Sequence, residues 1–247
     1  MLKQCKRIMK ILGLEHVDVE HPGYFLKLLQ EDGHTYHGVN LGAGEQIPSL
    51  DNFDGLWVMG GPMDVWEEEK YPWLINEKNF IKNAVIELGI PYLGLCLGHQ
   101  LLAEALGGKV AKSKKPEIGV LNVNLTEIGS QGIFFDGVDE EFKCLQWHSA
   151  EVTRLPSDAE VLASSSDCLV QSLKWGTRAY SIQFHLEVEE NTVQNWGKIP
   201  SYSEALSATM GPEGLERLNV DCKMEMTNFN SNAERVYLNW MQTSART

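Results

Sequence analysis

The order of apolar and polar positions divides the first half of the chain into short apolar runs and longer periodic segments. The run at 56–59 is apolar throughout, which is typical of a strand buried on both faces of a sheet. In 74–88 the apolar positions recur every three or four residues, which predicts a helix. The predicted strands of this half span 8–14, 35–40, 56–59 and 90–95, and the predicted helices span 23–30, 74–88 and 99–106. Strands and helices in alternation indicate a parallel sheet with helices on both faces.

From residue 119 onwards the pattern changes to the alternation of β-structure, with turn residues between the apolar positions. The predicted strands of this half span 119–126, 142–154, 160–163, 168–173 and 178–184. Consecutive strands without intervening helices favour antiparallel pairing. The predicted fold class is therefore α/β, with a flavodoxin-like, open, mostly parallel sheet, helices on both faces and a small antiparallel β extension.

The last part of the chain, 191–247, carries a weaker pattern. Its predicted helices span 191–196, 212–218 and 233–241, and its predicted breaks lie at 200–207 and 211–212. The sequence contains no internal repeat or low-complexity segment that would require a second domain. We therefore expect one domain over 1–247, with a core at about 7–190 and a C-terminal helical tail, 191–247, packed on it.

The composition excludes several classes of partner. The chain has 247 residues and a formal net charge of −13, so we expect no nucleic-acid partner held through phosphate contacts. We also expect no membrane partner, because no apolar run approaches the length of a membrane span and the N-terminal sequence lacks a secretory signal. Five cysteines at irregular spacing argue against a disulfide framework and favour a reducing compartment, so the expected location is cytoplasmic.

The most informative motif is Gly-Leu-Cys-Leu-Gly-His-Gln at 94–100, which joins a predicted strand to a predicted helix. A nucleophile on a tight turn between a strand and a helix is a nucleophile elbow. Gly94 and Gly98 suit such a turn because glycine has no Cβ and tolerates close backbone approach. The positive end of the helix dipole favours the thiolate of Cys96. Taken alone, the motif is also compatible with an inert buried cysteine.

A second motif, Gln-Phe-His-Leu-Glu at 183–187, ends the last predicted strand. A cysteine nucleophile needs a base, and the base needs a third group that fixes its tautomer. His185 and Glu187 could supply these two functions if the chain curls at the strand end. A surface histidine beside a solvated glutamate is the alternative for this pair on its own.

The segment 15–22 follows the first predicted strand and is expected to line the rim of the site, because sites in open α/β sheets lie at the carboxyl ends of the strands. His16, Asp18 and His21 in this segment resemble metal ligands only faintly, and their spacing matches no known site. We therefore expect a polar rim loop there and no metal. The sequence also lacks a Walker-type phosphate loop, and no cofactor is expected.

The two motifs, together with Leu-Trp-Val-Met-Gly-Gly-Pro at 56–62 and Tyr-Pro-Trp-Leu at 71–74, resemble those of the class I, triad-type glutamine amidotransferases. The resemblance runs from about Arg7 to Glu187 and is strongest to the stand-alone branch related to the amidotransferase domain of GMP synthetase. One position departs from the family pattern, which usually reads His-Pro-Glu. Leu186 replaces the proline, and this leaves the orientation of Glu187 open.

The resemblance implies a role for each residue of the site. Cys96 would attack the side-chain amide carbon of glutamine, His185 would carry the proton to ammonia, and Glu187 would hold His185. The backbone N–H groups of Gly61 and Leu97 would stabilise the oxyanion, since such an intermediate needs preorganised donors. The implied substrate-binding residues are Gly60, Gln100, His148 and Ser149. We interpret His99 and His148 as structural or substrate-lining residues and not as a second base.

Three functions remain open at this point. The leading one is hydrolysis of the side-chain amide of glutamine or a related γ-glutamyl amide through a cysteinyl thioester, with the ammonia taken up by an acceptor synthetase subunit in trans. The second is a γ-glutamyl peptide hydrolase that needs no acceptor, and the third is a non-catalytic homologue that binds a ligand in the cleft. An isomerase or protease built on an elbow cysteine is disfavoured by the His-x-Glu pair.

Overall fold

The computed structural model describes residues 7–245, and over that range nine strands form one sheet. The strands are β1 (Lys10–Glu15), β2 (Thr35–Asn40), β3 (Gly55–Val58), β4 (Tyr92–Leu95), β5 (Lys109–Leu125), β6 (Glu141–Arg154), β7 (Ala159–Ser164), β8 (Ser172–Trp175) and β9 (Ala179–Ile182). Their order across the sheet is β2-β1-β3-β4-β9-β8-β7-β5-β6.

The sheet consists of a parallel half and an antiparallel half that share strand β9. Strands β2, β1, β3, β4 and β9 pair in parallel. Strands β8, β7, β5 and β6 continue the sheet with antiparallel pairing. This topology confirms the predicted α/β fold, and the antiparallel extension amounts to four strands. Because β4 and β9 are neighbours, the segments that follow Leu95 and Ile182 emerge side by side at one edge.

Seven α-helices lie in the described range. They are α1 (Gly23–Glu31), α2 (Trp73–Lys82), α3 (Leu97–Ala105), α4 (Glu127–Gln131), α5 (Thr192–Trp196), α6 (Pro200–Met210) and α7 (Gly214–Ala245). A π-helical turn, Asn83–Glu87, extends α2. Residues 50–52 and 133–135 form short 3₁₀ turns.

The central strands send alternate side chains to the two faces, as the pleat of a strand requires. In β3, Leu56 and Val58 join a core cluster with Leu74 of α2 and Leu101 of α3. Trp57 points the other way. The second cluster combines Trp57 and the adjacent Met59 with side chains from α1 and α7, namely Phe25, Leu29, Val236 and Trp240. The all-apolar composition of 56–59 is thus explained by burial on both sides.

Four predicted boundaries differ most from the observed ones. The strand predicted at 168–173 is observed as β8, Ser172–Trp175. Strand β5 begins at Lys109 and not at 119, because its exposed first half, which carries four lysines, still pairs with β6. The stretch 200–207 was predicted as a break, which is wrong: it lies in α6, where Pro200 occupies the first turn, a position that proline tolerates. The two helices predicted at 212–218 and 233–241 are parts of the single helix α7.

Helix α7 holds the tail against the sheet. Trp240 is fully buried, packs edge-on against Trp57 and donates its indole N–H to the carbonyl of Tyr92, at 2.9 Å. Among residues 7–245, no helix combines the length and apolar character needed to cross a membrane. Four cysteines of this range, at 96, 144, 168 and 222, are free and buried, and Cys5 lies outside the described residues.

Candidate active site

Cys96 lies on a sharp turn between β4 and α3. Its backbone has φ 50° and ψ −102°, a positive φ that non-glycine residues rarely adopt. Its N–H donates to the carbonyl of Ile182 on the neighbouring strand β9, at 2.8 Å. A Cβ on Gly98 would lie 2.1 Å from the carbonyl oxygen of Val58, so the helix can pack this closely only with glycine there. The strand, turn and helix expected from the sequence are present.

His185 is brought to Cys96 by the end of β9. Beyond that strand the chain forms a bridge to β6, in which the N–H of His185 donates to the carbonyl of Leu145 at 2.9 Å. Nδ1 of His185 lies 2.6 Å from Oε1 of Glu187, and the imidazole is near enough to the Cys96 thiol to act on its pKa. All three side chains are buried. The structure therefore brings the sequence-predicted triad residues together.

Burial and mutual contact act in opposite directions on these groups. Burial raises the pKa of Cys96, and the hydrogen bond and charge of His185 oppose that effect without cancelling it. For His185, burial acts to lower the pKa, but Glu187 and Cys96 outweigh it and the pKa rises well above its ordinary value. Glu187 and Cys96 thus favour the protonated imidazole, and burial disfavours the thiolate of Cys96.

Glu187 is oriented by the residue that departs from the family pattern. The backbone N–H of Leu186 donates to Oε2 of Glu187 at 3.0 Å, while Oε1 faces His185. A proline at 186 has no N–H and could not make this bond. Trp196 of α5 packs edge-on against the His185 ring, with 4.6 Å between ring centroids. The Glu187 carboxylate therefore contacts the Leu186 N–H as well as His185, and the imidazole contacts Trp196 as well as Glu187.

A cavity of about 180 Å³ opens beside Cys96. Five of the residues assigned to the oxyanion hole or the substrate line it: Gly61, Leu97, Gln100, His148 and Ser149. Gly60 does not line it and instead lies against Glu20 and His185, because a Cβ at Gly60 would be 1.9 Å from Oε2 of Glu20 and 3.5 Å from Cε1 of His185. The side-chain amide of Gln100 donates to Gln183 at 3.0 Å, so the protein already uses that donor.

A larger cavity, of about 590 Å³, lies at the opposite end of the parallel strands. Its lining includes Met9, Asp54 and Pro91, which precede or begin β1, β3 and β4, together with Arg178 before β9. Cys96 and His185 are not part of it. The smaller cavity is the candidate active site because Cys96 lines it.

The segment 15–22 forms the predicted polar rim only in part, because Asp18 and His21 are exposed but His16 and Glu20 turn inward. His16 and Glu20 are almost completely buried, and they point under the 60–61 loop. Burial is the largest influence on Glu20 and raises its pKa, and the nearby His185 opposes the rise. The Tyr202 hydroxyl of α6 donates to Oε1 of Glu20.

Tyr202 was not predicted as a site residue, because the sequence pattern at 200–207 indicated a break and not a helix. Tyr202 and Ser201 line the cavity beside Cys96, so helix α6 completes its wall. The Pro200 signal for a helix start was present in the sequence and could have located this helix. No comparable signal identifies the contact between Tyr202 and Glu20, which are 182 positions apart.

One buried cluster near the cavity has the side chains of a metal site. Ligand atoms of Glu117, His148 and Cys168 lie within 4.8 Å of one another. The Glu117 carboxylate already accepts hydrogen bonds from Ser165 and Gln171, at 2.7 and 2.8 Å, and lies 3.2 Å from Nε2 of His148. Nδ1 of His148 in turn lies 2.9 Å from the carbonyl of Ala150. Both oxygens of Glu117 are engaged in this way, so we interpret the cluster as a structural contact that stabilises the β6 side of the cavity.

Comparison with known proteins agrees with this geometry. The glutamine amidotransferase class-I family model matches residues 28–195. A subunit of the glutamine-hydrolysing GMP synthase from Sulfolobus acidocaldarius is 35% identical over 146 residues, which are 59% of this chain and 73% of that protein. The glutamine amidotransferase-like protein YfeJ from Salmonella typhimurium is 31% identical over 207 residues, 82% of this chain and 85% of that protein.

A crystal structure of a glutamine amidotransferase from Thermotoga maritima has the same fold. Its TM-score is 0.84 with 26% identity, and the superposition covers 97% of this chain and 100% of that one. The family model alone spans more than half of the 247 residues. The buried cysteine on its strand–helix turn, the neighbouring histidine and glutamate, and these matches agree, and the chain belongs to the class I glutamine amidotransferase family.

Proposed function

We propose that this chain hydrolyses the side-chain amide of glutamine through a thioester on Cys96. The observation that carries the proposal is the proximity of Cys96, His185 and Glu187, with Cys96 lining a cavity. A cysteine in contact with a histidine that is itself held by a carboxylate is the arrangement needed for acyl transfer.

In the proposed reaction, His185 takes the thiol proton and Cys96 attacks the amide carbon. The oxygen of the tetrahedral intermediate accepts hydrogen bonds from the backbone N–H groups of Gly61 and Leu97. The C–N bond then breaks, and His185 returns the proton to the departing ammonia. Water, deprotonated by His185, attacks the thioester and releases glutamate. Glu187 stabilises the imidazolium in each half of the reaction.

The size of the cavity favours glutamine over larger γ-glutamyl compounds, and its lining suits the α-ammonium group that all of these compounds carry. Its volume, about 180 Å³, is below the roughly 300–1,000 Å³ of pockets that take drug-sized ligands. Among residues 7–245, its lining includes the carboxyl of Asp64 and no lysine or arginine. A free α-ammonium group is therefore the charge that this lining accommodates best. A γ-glutamyl peptide hydrolase uses the same triad and is the second candidate.

The fate of the ammonia is the finer part of the proposal. One similar protein is by its name a component of GMP synthase. We infer by analogy that an acceptor synthetase subunit in trans would take up the ammonia made here. Without an acceptor, the chain would act as a glutaminase.

The test is the release of ammonia and glutamate from glutamine by the wild-type chain and by Cys96→Ala. We expect the variant to lose turnover by at least about a thousandfold, since it removes the nucleophile. Cys144→Ala is the matched control: Cys144 is also a free, buried cysteine, but it does not line the cavity. Equal rates for wild type and Cys96→Ala would reject the proposal. A higher kcat/KM for a γ-glutamyl dipeptide than for glutamine would favour the peptide hydrolase.

A further inference from the structure

His16 lies directly beneath the loop that carries Gly60 and Gly61. It follows β1, and its side chain is completely buried. Nδ1 lies 2.7 Å from the carbonyl oxygen of Gly60, and Nε2 lies 3.0 Å from Oε1 of Glu77 on α2, which is also completely buried. Trp73 stacks on the imidazole with 5.4 Å between centroids and 19° between planes. The ring is therefore fixed on both edges and on one face.

Both ring nitrogens of His16 face hydrogen-bond acceptors. A carbonyl oxygen can only accept, so Nδ1 carries a hydrogen, and a carboxylate oxygen on the other side calls for a second donor. Burial acts to lower the pKa of His16, but Glu77, the Gly60 carbonyl and Glu20 outweigh it and the pKa is raised. The charged groups that face this imidazole are Glu77, Glu20 and, from β1, Glu15. A cationic ring therefore fits its surroundings, and no nitrogen is left for a metal.

The bond to the Gly60 carbonyl also sets the direction of the next N–H. The carbonyl of Gly60 and the N–H of Gly61 belong to one planar, trans peptide group, and in such a group they point in opposite directions. With the carbonyl held against His16, the N–H of Gly61 points away from that ring. A Cβ on Gly61 would be 2.9 Å both from Cβ of His16 and from Cδ2 of Leu97, so Gly61 lies between His16 and the residue that follows Cys96.

We propose that His16 and Glu77 are positioning residues that hold the Gly60–Gly61 peptide with the Gly61 N–H directed at the oxyanion of the reaction. The inference rests on the proposed function, because it assigns a role in stabilising the tetrahedral intermediate. A donor at the carbonyl also polarises the peptide group, which makes the Gly61 N–H a stronger donor. Neither His16 nor Glu77 touches the substrate in this scheme.

The experiment compares a tetrahedral adduct with bound substrate. L-Glutamate γ-semialdehyde carries an aldehyde in place of the amide: the Cys96 sulfur bonds to the aldehyde carbon, and the former carbonyl oxygen takes the place of the oxyanion. Its inhibition constant is measured for the wild type and for His16→Leu, His16→Asn and Glu77→Gln. The dissociation constant of glutamine is measured for the same changes in a Cys96→Ala background.

We expect His16→Leu to weaken binding of the aldehyde and to lower kcat/KM by the same factor, about tenfold to a hundredfold. Complete loss of one oxyanion donor costs about 100- to 1,000-fold, and this variant misdirects the donor without removing it. The dissociation constant of glutamine should stay within about twofold, because the ground state does not use this contact. His16→Asn keeps an N–H near the Gly60 carbonyl and should recover part of the loss. Glu77→Gln should lie between wild type and His16→Leu.

His34→Asn is the matched control for the loss of a buried histidine. His34 lies at the other end of the sheet, where its Nδ1 accepts a hydrogen bond from the N–H of Met9 at 3.0 Å. This variant should leave kcat/KM and aldehyde binding unchanged. If the His16 and Glu77 variants weaken the binding of glutamine as much as the binding of the aldehyde, the pair is merely structural and the inference is overturned.

The two proposals fail in different ways. If His16→Leu does not fold, the same comparison is made with His16→Asn and Glu77→Gln, and unchanged aldehyde binding in both overturns the inference. If the wild type itself shows no turnover and no binding of the aldehyde that depends on Cys96, the proposed function fails first. Strong, Cys96-dependent binding that is unaffected by all three variants removes the positioning role alone.

Discussion

His99 should make the protein less stable as the pH falls below neutrality. It lies in the first turn of α3, three residues after Cys96, and is completely buried, with Nδ1 2.9 Å from the hydroxyl of Ser181. Burial is the main reason that its pKa falls from 6.5 to about 3, and the neighbouring His148 adds to the effect. The folded protein therefore keeps His99 neutral under conditions in which the unfolded chain binds a proton.

The sign and size of the effect follow from that difference. The stabilisation is complete above pH 6.5, where neither state binds the proton, and is lost as the pH falls from 6.5 toward about 3. In that range the free energy of unfolding changes by about 1.4 kcal/mol per pH unit. At about pH 5 the loss amounts to about 2 kcal/mol, a measurable part of the roughly 5–15 kcal/mol that stabilises a typical domain.

The assay is urea denaturation of the wild type and His99→Asn between about pH 7.5 and 5. Replacement of the histidine shifts stability at all pH values through packing, but it should remove the slope that His99 contributes. His16 and His185 have raised pKa values, so their stabilising contributions decline as the pH rises above 6.5. Both proteins contain these histidines, and their contributions therefore cancel in the comparison. Identical pH slopes for the two proteins would refute the assignment of a neutral, buried His99.

Three further substitutions test the contacts around the active site. Gly60→Ala would place a Cβ 1.9 Å from Oε2 of Glu20, and we expect kcat to fall at least about tenfold because the displaced loop carries an oxyanion donor; an unchanged kcat would contradict this. Leu186→Pro removes the N–H that holds Glu187, and kcat/KM should fall about tenfold, as for loss of a hydrogen bond to a charged group. Equal kcat/KM values for the variant and the wild type in steady-state assays would refute this role of the Leu186 N–H. Tyr202→Phe removes the donor to buried Glu20 and should lower the free energy of unfolding by about 1–3 kcal/mol in urea titrations, and a gain in stability would exclude the proposed contact.

The parallel half of the sheet was predictable because its signals are local. Strands β1, β3, β4 and β9 are short, mostly apolar runs. The strand order brings the ends of β4 and β9 together, so Cys96 and His185 meet although 89 positions separate them. The carboxyl ends of neighbouring parallel strands share one edge, and this rule is enough to place the pair. The residues of 15–22 were harder, because nothing local distinguishes a histidine in a rim loop from one that turns inward to a glutamate on another helix.

The long helix of the C-terminal tail could not be predicted as one element. In α7 the buried positions include Leu218, Cys222, Phe229 and Trp240, a narrow stripe interrupted by polar residues on the remaining faces. Such a stripe has too few apolar positions to reveal a continuous helix of 32 residues from its pattern alone. Packing against the sheet, and not local propensity, keeps this helix continuous.

The reactivity of Cys96 also depends on what the sequence does not reveal. The start of α3 behind the sulfur was expected to favour the thiolate, yet burial is the larger influence and the pKa of Cys96 is raised. A sequence locates the start of a helix, but it does not show how completely other elements cover the side chain at that point. In the proposed mechanism the thiol proton passes to His185 as the substrate is attacked. The nucleophile is therefore only as effective as the base, and the base is held by Glu187, Leu186 and Trp196, all distant in sequence from the elbow.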